Sequence, residues 1–314
     1  MLRIGVIGVG AWGRNHAEVY AALPDVRLEA VVDVDARRAT EAGAAFEATA
    51  LQSAEELIGR VDAVSIAVPT RDHARLGVLF LEHGIHVLVE KPICRTLEEA
   101  DRLIAAAQAS DCVLQVGQLE RFNPAFIALA PLVKEPRFFE ADRLNTFTPR
   151  SLDIDVVLDL MIHDLDLIGS LVAAPVAEVR AVGIPILTPR VDIANARIEF
   201  ADGTVANVTA SRVSLERTRK LRFFQAHDYI SLDFQSHQVL VASLVKASNL
   251  LGKEVRTRYL EVGQMRPLEA ELRSFVGAIE GRNPVVCPGQ EARRALEMAL
   301  AVQRQMKMAA YEEV

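Results

Sequence analysis

The sequence predicts an α/β chain in two halves: a doubly wound parallel sheet, then an α+β domain with a large, mostly antiparallel open sheet. Three observations predict it. From residue 2 to residue 117 short apolar runs alternate with helical patterns, the order that gives crossovers and a parallel sheet. Those runs are continuously apolar, as strands covered on both faces are. After residue 120 the helical patterns give way to runs of strand character separated by turn signals.

The elements follow in order. LRIGVI (2–7) reads as a strand, GVGAWG (8–13) as a glycine turn, and Arg14 to Leu23 as a helix. RLEAVVDVD (27–35), DAVSIAVPT (62–70) and HVLVEKP (86–92) read as strands, with a helix over 72–83 between the last two. Thr96-Leu97-Glu98-Glu99 is a capping box opening a helix to Ala109, and CVLQVG (112–117) closes the first set. A helix over Pro124–Val133 leads to RFFEADRLN and then to a helix over 155–172. Six more runs, from VAEVRAVGIPI (176–186) to QVLVASL (238–244), read as strands, with hairpin turns at 201–203 and 227–228. Helices over 267–281 and 289–311 finish the chain, and residues 250–266 read as a loop. The expected domains are 1–120 and 121–314, with the last helix able to pack back on the first.

Bulk properties exclude several function classes. With 51% apolar residues and no uncharged apolar run of about 18, a globular protein without a membrane span is expected. The net charge of −7 argues against a nucleic-acid surface. Cys94, Cys112 and Cys287 lack metal-ligand spacing and read as reduced thiols, and no segment reads as a signal peptide, so a cytoplasmic location and no metal site are expected.

Gly8-Val9-Gly10-Ala11-Trp12-Gly13 follows a strand and opens a helix, and Asp33 ends the next strand. That context is the dinucleotide-binding fingerprint of a Rossmann domain. Gly8 permits the tight turn, Gly10 lets a pyrophosphate approach the backbone, and Gly13 allows close helix–sheet packing. The free N–H groups at the helix start face the phosphates. Asp33 suits the ribose hydroxyls of NAD and repels a 2′-phosphate, although Arg37 and Arg38 stand near enough to bind one; NAD is expected over NADP.

LDLMIHDLDL (158–167) is apolar yet carries four polar groups. On an α-helix Asp159, His163 and Asp166 fall within roughly 60°, and Asp164 points away alone. A buried carboxylate without a partner is costly, so this stripe is expected to face a water- or ligand-filled cleft. A solvated amphipathic face is the plainer alternative.

Gly8–Gly13, Glu90-Lys91-Pro92 and Asp159-x-x-x-His163, in this order and spacing, resemble the Gfo/Idh/MocA oxidoreductases along essentially the whole chain. The resemblance implies a Rossmann domain followed by an open-sheet domain, oxidation of a secondary alcohol of a sugar, inositol or nucleotide sugar with NAD(P), and a homodimer or homotetramer. It implies Lys91, Asp159 and His163 as the catalytic group. Cofactor contacts are expected from Gly8, Gly10, Ala11, Trp12, Gly13, Asp33, Pro69, Thr70, His73, Glu90, Lys91 and Arg121, and substrate contacts from Lys91, Asn123, Asp159 and His163. His73 reads equally as a local hydrogen-bonder, and Arg121 and Asn123 as hinge packing. Met161 stands where the family often has glycine, which would narrow the pocket. Glu120–Pro124 and Ile162–Asp166 are similar to stretches of the bacterial enzymes that oxidise the C3 hydroxyl of UDP-N-acetylglucosamine, whose product feeds cell-envelope precursors. Histidine is suited to accept a hydroxyl proton at neutral pH, so His163 is read as the base, with Lys91 the alternative. The cations of 211–224 read either as a diphosphate site or as a charged hairpin edge. A dehydrogenase of a free sugar or inositol, and a non-catalytic NAD(H)-binding regulator, are the competing functions.

Overall fold

The structure, a computed structural model, describes residues 1–148, 154–247 and 252–308. By contacts it divides into two compact units, Met1–Phe122 with Arg266–Arg293, and Asn123–Met265 with the chain from Arg294.

In the first unit, β1 (Leu2–Ile7), α1 (Ala11–Ala22), β2 (Val26–Val32), α2 (Ala36–Phe46), β3 (Thr49–Leu51), β4 (Ala63–Ile66), α3 (His73–Glu82), β5 (His86–Glu90), α4 (Leu97–Ala109) and β6 (Leu114–Gly117) alternate. Among the described residues the strands form one parallel sheet in the order β3-β2-β1-β4-β5-β6, the doubly wound arrangement expected. Asp35 caps α2, its side chain accepting from the Arg37 and Arg38 amides, and Thr96 caps α4 by accepting from the Glu99 amide. The sequence reading passed over α2 and β3, whose short, partly exposed strand TAL carries little pattern.

The second unit holds α5 (Pro124–Leu129), β7 (Phe138–Leu144), a π-helical turn (Val157–Met161), α6 (Ile162–Leu171), β8 (Val176–Ile184), β9 (Ile193–Phe200), β10 (Val205–Ser211), β11 (Thr218–Gln225), β12 (Asp228–Asp233), β13 (Gln238–Lys246) and β14 (Lys253–Tyr259). The chain then returns to the first unit as α7 (Pro267–Ile279), followed by α8 (Gly289–Gln305) and β15 (Met306–Met308). The nine-stranded sheet runs β14-β13-β12-β11-β7-β10-β9-β8-β15, antiparallel except for the β7–β10 and β8–β15 pairs. Its inner face is apolar at alternate positions, with Phe139 and Phe223 opposed across β7 and β11 at 5.4 Å between ring centroids. The π turn, α6 and part of α8 cover that face with Val157, Met161, Ile162, Leu165, Ile168 and Met298.

Three expectations change. The 250–266 loop contains β14, an edge strand whose exposed charged residues conceal the strand pattern. The final helix stops at Gln305, where the chain pairs with β8; positions 309–311 of the expected helix lie outside the described residues. The helix expected over 155–172 begins as a π turn, which alters the angular spacing on which the polar stripe was argued. α7, the penultimate helix, packs on α1 of the first unit through Leu272, Phe275 and Val276.

Candidate active site

Each expected cofactor residue of the first unit lies at or just beyond the carboxyl end of a parallel strand, where ligands bind in open α/β sheets. Gly8 follows β1 with φ of 84°, a conformation that glycine adopts without strain, and its amide donates to Val32 O at 2.8 Å. A Cβ at Gly13 would stand 1.8 Å from Gly8 O, so that position packs helix against turn. A Cβ at Gly10 would meet nothing within 4 Å, and Gly10 opens α1 with no side-chain cap. The glycine that the fingerprint assigns to pyrophosphate approach therefore faces open space beside uncapped amides, with Ala11 and Trp12 exposed. These residues fit a dinucleotide.

Asp33 follows β2 and is buried. Its Oδ2 accepts from the Val9 amide at 3.0 Å and its Oδ1 from the Asp35 amide at 2.9 Å. Arg38 lies 3.2 Å from Asp33 Oδ1 and 3.4 Å from Asp35 Oδ2, so its charge is engaged by two carboxylates. Replacing Asp33 with alanine is expected to weaken NAD by about 10- to 10²-fold, the worth of hydrogen bonds to a charged group, and NADP by less, because the same change frees Arg38 for a 2′-phosphate. Dissociation constants for both cofactors check this; equal losses would contradict the ribose role.

Pro69 and Thr70 lie in the turn after β4. His73, the first residue of α3, is buried, with Nδ1 3.0 Å from Pro92 O and Nε2 2.9 Å from Val68 O. Burial holds its pKa below the usual histidine value, so one nitrogen donates and the ring ties the β4 turn to the turn after β5. That is the local hydrogen-bonding role.

Glu90 ends β5 and Lys91 follows it, with the Lys91–Pro92 peptide bond cis. The Lys91 amide donates to Glu90 Oε2 at 3.3 Å, and the Trp12 indole donates to the same carboxylate. His16 Nε2 stands 3.1 Å from Glu90 Oε1, while its Nδ1 lies 2.7 Å from Ser65 Oγ. Burial would raise the Glu90 pKa, but His16, Trp12 and Lys91 together hold it below the usual range. Arg121, in the turn after β6, donates to Val286 O at 3.2 Å and pairs with Glu291.

In the second unit Asn123 caps α5, accepting from the Ala125 amide at 3.1 Å and donating to Phe234 O at 3.4 Å. Asp159 lies in the π turn and His163 near the start of α6, both half-buried. Asp164 does not point away to solvent. It is buried and pairs through both oxygens with Arg143, each contact 2.9 Å. Asp166 is buried as well.

The cations of 211–224 do not form one patch. Arg212 is buried, donating to Ile154 O at 2.8 Å and standing 3.8 Å from Asp192, while Lys220 and Arg222 pair with Asp233, Asp142 and Glu140 on the outer face of the sheet. With Arg212 buried and Lys220 and Arg222 engaged by carboxylates, the run gives no concentrated diphosphate site.

Two residues near Lys91 escaped the sequence reading. Gln118, after β6, is buried with neither amide atom hydrogen-bonded. Glu271 on α7 is wholly buried; its position on the apolar stripe of Leu268, Leu272, Phe275 and Val276 was the signal that could have found it.

Residues 2–118 match the family model described as "Oxidoreductase family, NAD-binding Rossmann fold", and residues 135–227 match the GFO/IDH/MocA C-terminal domain. The chain is 41% identical over 302 residues, 96% of each chain, to UDP-N-acetylglucosamine 3-dehydrogenase of Acidithiobacillus ferrooxidans. The chain belongs to the Gfo/Idh/MocA family. It is an NAD-binding oxidoreductase with the two-domain fold of that family. A solved structure of the A. ferrooxidans enzyme superposes with a TM-score of 0.91 at 40% identity, covering 97% of each chain. Myo-inositol 2-dehydrogenase of Thermotoga maritima is 26% identical, covering 98% of this chain and 96% of its own. No helix among the described residues is long and apolar enough to cross a membrane.

Proposed function

We propose that the protein oxidises the C3 hydroxyl of UDP-N-acetylglucosamine to a 3-keto sugar, with NAD as oxidant. The observation that carries this reading is the 41% identity, over 96% of both chains, to an enzyme named for that reaction, in a chain that holds Lys91, Asp159 and His163 at the family's motif positions.

NAD, held by the Gly8–Gly13 turn and Asp33, would supply the hydride acceptor for the carbinol carbon. The remaining work falls to side chains. His163 takes the hydroxyl proton. Asp159, four residues earlier across the π turn, orients the imidazole and stabilises its charged form. The Lys91 ammonium stabilises the oxygen as it gains alkoxide character, which favours the reacting state over the ground state. Arg121 and Asn123, given their hydrogen bonds, shape the local backbone rather than reach a ligand.

Cys94 and Cys287 are buried, and burial pushes Cys94 up to about 12, far from a reactive thiolate. Free cysteines accord with a cytoplasmic enzyme. Self-association is part of the same reading, supported by Val182, Phe224 and Leu244 exposed at outward positions of the nine-stranded sheet.

The test is incubation with NAD and a panel of UDP-sugars, free sugars and inositols. NADH is expected with UDP-N-acetylglucosamine; NADH only with free sugars or myo-inositol would remove the nucleotide-sugar assignment, and bound cofactor without turnover would favour a regulator.

A further inference from the structure

Behind Lys91 lies a buried cluster that the reaction above does not use. Ligand-type atoms of His16, Glu90 and Glu271 all lie within 4.8 Å of one another. The carboxyl of Glu90 lies over Gly117, where a Cβ would come within 2.7 Å of Oε1. Glu271 is fully buried, its backbone carbonyl accepting from the Gln115 side chain at 3.2 Å, and neither of its carboxyl oxygens has a hydrogen-bond partner.

Two carboxylates this close in a dry interior do not both ionise. His16 and Trp12 favour charge on Glu90, whereas burial, reinforced by the Glu90 charge, drives the Glu271 pKa well above the usual range. A neutral Glu271 has an O–H to give, and Glu90 is the acceptor beside it. The other titratable neighbours are His16 and Tyr20 on α1 and Lys91 just after β5; burial keeps the Tyr20 phenol protonated. A divalent cation would be the rival occupant. His16, Glu90 and Glu271 give it three protein ligands where a closed structural site takes four.

We propose that Glu271 is a positioning residue for Lys91: as a neutral carboxylic acid it donates a hydrogen bond to Glu90, and with His16 and Trp12 it fixes the carboxylate that holds the Glu90–Lys91–Pro92 turn and its ammonium. α7, which comes from the far end of the chain, thereby sets the geometry of the β5 turn. The catalytic consequence rests on the role given above to Lys91; the protonation state does not.

Infrared difference spectra test the protonation state without turnover. At neutral pH the wild type shows the C=O stretch of a buried protonated carboxyl, and Glu271→Gln removes it. Thermal stability carries a sign as well. A carboxyl whose folded pKa is raised stabilises the fold fully at pH below its ordinary value, and that contribution is lost as pH rises through the folded value. The wild-type Tm therefore declines over that range, and Glu271→Gln declines less. With the substrate that turns over in the panel, Glu271→Ala lowers kcat by about 10- to 10²-fold with little change in the KM for NAD, and Glu271→Gln, a neutral donor of the same size, recovers most of the loss. A carboxyl band that persists in Glu271→Gln, or one equivalent of copurified divalent metal lost in that variant, overturns the shared proton. An unchanged kcat in Glu271→Ala overturns the positioning role. If no panel substrate turns over, the function is wrong, while the band and the Tm curves still decide the pair.

Discussion

Replacing His163 with alanine lowers turnover by about 10²–10⁴-fold, the usual worth of a general base, and leaves NAD affinity nearly unchanged. His163 sits where the π turn passes into α6, and its neighbours Met161, Ile162 and Leu165 are anchored in the core of the second unit. Truncating a half-buried ring between such anchors spares the helix. The Gly8–Gly13 turn and Asp33, which are expected to hold the cofactor, belong to the first unit and are left intact by the change. Single-turnover kinetics and a separate NAD titration check both halves of the expectation. An unchanged rate would transfer the base role to Lys91.

The second large effect is on stability. Arg143 points from β7 into the inner face of the nine-stranded sheet, an otherwise apolar surface, and meets Asp164 through two 2.9 Å contacts with Phe234 beneath the guanidinium at 5.5 Å. Both side chains are almost wholly buried. Replacing Arg143 with alanine takes the paired guanidinium away from the buried Asp164 carboxylate and is expected to cost about 3–5 kcal/mol, read as a shift in the urea midpoint with unchanged slope. Replacing both partners with apolar residues of similar volume recovers most of the loss, because the desolvation penalty disappears with the charges. A loss below about 1 kcal/mol in the single variant would show the pair to be worth no more than a surface ion pair. Asp164 adjoins His163, so the same pair also fixes the rotation of α6.

What the sequence revealed and what it concealed separate along physical lines. Gly8, Gly10 and Gly13 were legible because each meets a local backbone requirement within six residues, and the parallel strands because both faces are apolar. β14 was hidden by its charges, since an exposed edge strand has no buried face to impose alternation. Asp164 was set apart from the stripe but left without a partner, because Arg143 is brought near only by packing. Arg212 was misplaced because it follows the end of β10, where packing buries it near Asp192. Glu271 depends on contacts more than 150 residues apart in sequence, and only its place on an apolar stripe hinted at them.

The most direct measurement supplies UDP-N-acetylglucosamine carrying deuterium at C3, with NAD, and follows where the label goes. The account predicts deuterium at C4 of the nicotinamide ring of NADH, a slower turnover than with unlabelled substrate, and a 3-keto product. Unlabelled NADH would place the oxidation at another carbon, and no NADH would contradict the proposed reaction.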